Sequence, residues 1–187
     1  DIDFDGLLDC YLVHNLFSIP QEQGILASGL SLLLKGTGDA ANPFEPVWPR
    51  ESGLEVPGDA KSLSAVDINM DGREDFAIGI NNADPMIFVN QTEEDSGNHP
   101  FRLRLVAAGN PGAVGARVEV TAGDFKKQTR EITAGGGFLS QESTDLIFAI
   151  PDDLKEKFSI AIRWPDGKIS KSEVEPETKF LNLDRTK

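Results

Sequence analysis

Two short stretches of the chain hold oxygen-bearing side chains at a spacing that could bind a hard cation. Asp1-Ile2-Asp3-Phe4-Asp5-Gly6-Leu7-Leu8-Asp9 and Asp67-Ile68-Asn69-Met70-Asp71-Gly72-Arg73-Glu74-Asp75 both fit D-x-[DN]-x-D-G-x-x-D, with the second 66 residues after the first. Calcium takes six to eight oxygens at ~2.3–2.6 Å, and oxygens on alternate residues converge when the backbone curls round the ion. The expected side-chain ligands are Asp1, Asp3, Asp5 and Asp9 in one loop and Asp67, Asn69, Asp71 and Asp75 in the other. The backbone carbonyls of Leu7 and Arg73 would add one oxygen each, and Gly6 and Gly72 permit the sharp turn. Asp, Asn and Gly also form ordinary turns, and one such loop alone would read as well that way. Two in the same register, each crowding carboxylates that repel without a counter-ion, point to two calcium sites.

The elements around these loops are strands. Leu12 and Ile78 stand where an EF-hand loop ends in a bidentate Glu, and the runs Cys10–Val13 and Phe76–Ile80 read as β-strands, not helices. Similar short apolar or alternating runs recur at Leu30–Leu34, Ser62–Val66, Met86–Val89, Phe101–Val106, Ala116–Val120, Gln128–Thr133, Asp145–Ile150, Phe158–Trp164 and Thr178–Leu183. Only Asp152–Lys157, after Pro151, reads as a helical turn. The fold class is therefore all-β, and a repeat of some tens of residues in such a chain suggests propeller-like blades.

Charge divides the chain in two. Through Pro100 there are 18 Asp/Glu against four Lys/Arg, and from Phe101 onward 13 against 14. The polar stretch Thr92–Pro100 coincides with this shift and makes the expected linker, giving regions 1–97 and 98–187. The overall charge of −13 disfavours a nucleic-acid partner. A single cysteine, Cys10, rules out an intrachain disulfide and a Cys-rich zinc site. No apolar run approaches the ~20 residues of a membrane-spanning helix.

Other constellations carry less. Gly36-Thr37-Gly38 imitates a dinucleotide fingerprint, yet Asn42-Pro43-Phe44-Glu45-Pro46 cannot continue the helix it must open. Gly135-Gly136-Gly137 lacks the Lys-Ser/Thr of a phosphate loop and reads as a glycine-rich hairpin or close packing. His14 and His99 come without a nucleophile elbow and read as surface or packing residues; Trp164 ends an apolar run and reads as core. Lys126, Lys127 and Arg130 read as a solvated hairpin. No catalytic set emerges, and none is expected.

The aspartate loops, each running into a strand, resemble the FG-GAP/VCBS repeats that build integrin-type β-propellers. Farther on, Asn110-Pro-Gly-Ala-Val-Gly115-Ala-Arg117, then Arg130-Glu-Ile-Thr-Ala-Gly-Gly136-Gly-Phe138-Leu-Ser-Gln141, then Arg163-Trp164-Pro165-Asp166-Gly167 resemble the successive motifs of the ASPIC/UnbV domain. The chain departs from that pattern at Phe148-Ala149-Ile150-Pro151, where a Phe-Gly-Leu-Gly-like segment is usual. The combined resemblance, of the cartilage acidic protein-like type, implies partial propeller-like blades followed by an antiparallel β-sandwich. It also implies extracellular calcium binding with adhesion or matrix roles, and no catalytic residues.

The expectation is thus a secreted, extracellular or periplasmic module without chemistry of its own, binding a protein or glycan; the alternative is an accessory domain of a larger secreted enzyme complex. Asp1 is already position one of a loop, whereas Ser62–Val66 supplies a strand leading into the second. Edges left open in so few blades should dock another polypeptide or the rest of the same precursor.

Overall fold

A computed structural model describes residues 1–15, 22, 29–92 and 97–186. Strands dominate. Each aspartate loop feeds a three-stranded antiparallel sheet: β1 (Cys10–Leu12), β2 (Leu32–Gly36) and β3 (Phe44–Val47) form one, and β4 (Ala60–Val66), β5 (Asp75–Ile80) and β6 (Met86–Phe88) the other. Between β3 and β4 lies the one α-helical turn among the described residues, α1 (Pro49–Ser52), opened by Pro49 and closed by Gly53 in the left-handed conformation. These sheets share a small core in which the Tyr11 and Phe76 rings stack with centroids 4.9 Å apart beside Val56, Ala60 and Ile78.

The rest of the described chain is a two-layer sandwich. One layer is β10 (Leu146–Pro151), β7 (Asn98–Ala107) and β13 (Phe180–Arg185), in that order. The other is β12 (Ile169–Val174), β11 (Phe158–Arg163), β8 (Arg117–Thr121) and β9 (Gln128–Glu131). Period-two alternation builds the core: Phe101, Leu103 and Leu105 of β7 face Val118 and Val120 of β8 and Phe158, Ile160 and Ile162 of β11 in one buried cluster. The same alternation puts Arg102 and Arg104 on the outer face of β7, over the Phe180 ring. On β9, the buried Gln128 amide donates to the Ala149 carbonyl at 2.7 Å and accepts the Ala149 N–H at 3.0 Å, tying one layer to the other.

Several expectations need correction. The sandwich is not wholly antiparallel, because β13 runs parallel to β7. The turn expected at Asp152–Lys157 is not helical: the Asp152 carboxylate takes His99 Nδ1 at 2.7 Å, and buried Phe158 already belongs to β11. The linker expected across Thr92–Pro100 is shorter, since Asn98–Pro100 lie in β7; residues 93–96 fall outside the described residues. Two strands had no apolar signal, β3 with its proline and glutamate and β12 with its polar Ser-Lys-Ser-Glu centre. Trp164 is core, as expected. No helix among the described residues is long and apolar enough to cross a membrane.

Candidate metal centre

The two aspartate loops share three internal hydrogen bonds at matching positions. Position one accepts the glycine amide at position six, Asp1 Oδ2 from Gly6 at 3.2 Å and Asp67 Oδ2 from Gly72 at 3.0 Å. Position five accepts the amide at position seven, Asp5 Oδ1 from Leu7 and Asp71 Oδ1 from Arg73. Position nine accepts the amide at position two, Asp9 Oδ2 from Ile2 at 2.7 Å and Asp75 Oδ2 from Ile68 at 2.8 Å. Its other oxygen takes a more distant backbone amide, from Gly36 at the end of β2 or from Asn90 just past β6. Each loop turns through a left-handed residue at position four, Phe4 (φ 58°) or Met70 (φ 61°), and again at its glycine. A bulky residue at positive φ is costly, and here the surrounding bonds hold it.

What the carboxylates have left to offer differs. In the first loop one oxygen of each of Asp1, Asp3 and Asp9 lies within 4.8 Å of the others. Asp1 Oδ1 and Asp3 Oδ1 are buried and accept no hydrogen bond, although the Asp1 side chain is only 5% exposed. Leaving such oxygens unmet costs roughly 1–3 kcal/mol each, more when charged, so the donor set suits a cation that wants oxygen ligands. The three carboxylates supply part of the six to eight oxygens that calcium takes. Lys35 pairs with the other oxygen of Asp3, and that bond raises the lysine's pKa despite some desolvation.

In the second loop Asp67 Oδ1 and Asn69 Oδ1 both accept the Asp71 amide, and Asn69 Nδ2 donates to Asp71 Oδ2. Burial tends to raise the Asp71 pKa, but the Arg73 amide, Asn69 and the Arg73 guanidinium outweigh it and hold the carboxyl below the ordinary value.

The sandwich reaches both loops. Arg102 Nη1 donates to Asp67 Oδ2 at 3.0 Å, and Arg130 Nη2 stands 3.5 Å from Asp1 Oδ2 without forming a hydrogen bond. Arg130 is largely buried, and desolvation lowers its pKa, with Glu74 and Asp9 opposing. The expected solvated hairpin is thus corrected at Arg130, which packs beside Phe148, while Lys127 pairs with Glu119 on the surface. Of the ten predicted ligand positions, Asp1, Asp3 and Asp9 form the one group of three or more converging carboxylates among the described residues; the supporting residues Arg102, Arg130, Lys35 and Asn90 were not predicted. The one available signal was alternation, since Arg102 interrupts Phe101 and Leu103 in a strand with one buried face.

Asp166, by contrast, sits in a surface turn, accepting the Lys168 amide and a two-pronged Arg185 guanidinium that lowers its pKa to about 2. No curated protein matches the chain. Residues 107–187, which hold β8 to β13, match the family model described as ASPIC and UnbV, so the sandwich carries a domain of that type.

Proposed function

We propose that the chain is an extracellular or periplasmic calcium-binding recognition and scaffold module, without chemistry of its own, in which FG-GAP/VCBS-like repeats through residue 97 precede the ASPIC/UnbV sandwich of 98–187. The observation that carries this reading is the pair of buried, unpartnered oxygens on Asp1 and Asp3, in a loop whose conformation recurs at Asp67–Asp75. Calcium in both loops neutralises their carboxylates and stiffens the strands that follow, so that the sheets present a fixed surface to a protein or glycan partner or to the rest of the same precursor. The short strands β3 and β6 lie at sheet edges, where unpaired backbone groups favour strand addition.

Titration calorimetry with calcium tests the reading, with two ions bound per chain expected at dissociation constants of ~0.1–1 mM, the range of extracellular modules. Absence of binding heat, together with a melting temperature unchanged between millimolar calcium and excess chelator, refutes it.

A further inference from the structure

We propose that a cation in the Asp1–Asp9 loop governs how the sandwich docks on the first half of the chain. The inference rests on the calcium reading above and concerns what occupancy does. Four contacts from the sandwich fall on this one loop. Arg130 stands beside Asp1, Asn98 Nδ2 donates to the Phe4 carbonyl at 2.8 Å, Lys126 Nζ donates to the Asp5 carbonyl at 3.2 Å, and the Phe125 ring leaves no room for a Cβ at Gly6. Each depends on the curl of the loop, because it meets a backbone atom or the position-one carboxylate.

That curl is incompletely held by the protein alone. Asp1 divides its carboxylate: Oδ2 serves the Gly6 amide and faces Arg130, while Oδ1 is buried with no partner. Asp3 Oδ1 is also buried and unpartnered. A cation meeting these two oxygens would cancel the repulsion that favours opening of the loop, and so fix all four attachment points together. The second loop provides the comparison within the molecule. Its contact with Arg102 is a formed hydrogen bond, and both Asp67 oxygens already accept one.

The test is hydrogen–deuterium exchange on the full chain in calcium and in excess chelator, after calorimetry on the same sample has counted the ions. Expected is slower exchange in calcium over residues 122–132 of the sandwich, up to about tenfold at ten times the dissociation constant. Asp3→Asn, whose side chain makes no bond to the sandwich, should abolish that slowing, and Asn69→Ala should keep it. Calcium binding with no change over 122–132 overturns this inference and leaves the calcium reading intact, whereas absence of binding overturns both. Slowing that survives in a folded Asp3→Asn variant also overturns it. Should that variant fail to fold, the wild-type comparison decides alone.

Discussion

In the Asp1–Asp9 loop two buried carboxylate oxygens meet no donor, whereas in the Asp67–Asp75 loop the corresponding side chains, Asp67 and Asn69, both accept from the Asp71 amide, and Asp67 accepts from Arg102 as well. Both loops share the positive φ at position four and at the glycine. The Asp71 amide makes the difference at those oxygens, by donating to both Asp67 Oδ1 and Asn69 Oδ1, and two side chains add to it. Asn69 carries a donor of its own and quiets Asp71 internally, where Asp3 carries only acceptors. Arg102 completes its bond to position one, where Arg130 stops short. A shared loop pattern therefore specifies conformation more tightly than it specifies charge balance.

The largest effect expected from breaking the comparison lies at position nine, where the loops are most alike. Asp75 is fully buried and accepts two backbone amides, so Asp75→Ala should cost about 2–5 kcal/mol by leaving both unmet. Asp9→Ala should cost less, since Asp9 is slightly more exposed; urea denaturation in calcium gives the ranking, and equal costs would show that burial does not matter here.

Next comes the ion count. Asp71→Ala should remove one calcium and Asp166→Ala none, because Asp166 is already committed to a surface turn and to Arg185. With ~1 mM calcium and a dissociation constant of ~0.1 mM, each lost ion removes about 1.4 kcal/mol of stabilisation. Equal stoichiometry in wild type and Asp71→Ala, read by calorimetry, would mean that the second loop holds no ion.

A smaller change should make the second loop resemble the first. Asn69→Asp removes the donor to Asp71 and adds a charge, strengthening calcium binding there by on the order of 1 kcal/mol, the scale of one charge pair in water. Calorimetry showing weaker binding would mean that the asparagine orders the site.

The smallest effect is acid sensitivity in calcium-free protein. The Asp71 pKa is lowered on folding, so its contribution is present above the ordinary value of 3.8 and lost as pH falls through the lower folded value. Asp71→Asn should abolish that small loss in acid melts. An Asp71→Asn melt with the same dependence below pH 3.8 would place the loss on other carboxylates.

The loops were legible because their information is local: Asp and Gly at fixed spacing dictate both the turn and the amides that cap it. Strands such as β7 and β11 were legible for the same reason, from alternation with one buried face. Arg130 was not, because it shares its segment with exposed Lys127 and is buried only once the Asp1 loop lies against β9. β12 escaped notice because Phe158–Val174 and Arg163–Ile169 pairing with β11, not its own polar residues, makes it a strand. Asp152–Lys157 carries a helical charge order over too short a span between two paired strands to use it.

The parallel pairing of β13 with β7 bears on how the molecule is made. Leu103 meets Leu146 on one side and Leu181 on the other, so the central strand of its sheet waits for two partners far along the chain. Closing such distant pairs spends chain entropy before it returns contact energy, which places the sandwich among slow-folding topologies. Until β13 arrives, the outer edge of β7 stays open, with Arg102 and Arg104 on its exposed face. Charge on such a strand discourages stray pairing, so the arginine that later meets Asp67 also guards the nascent sheet against aggregation.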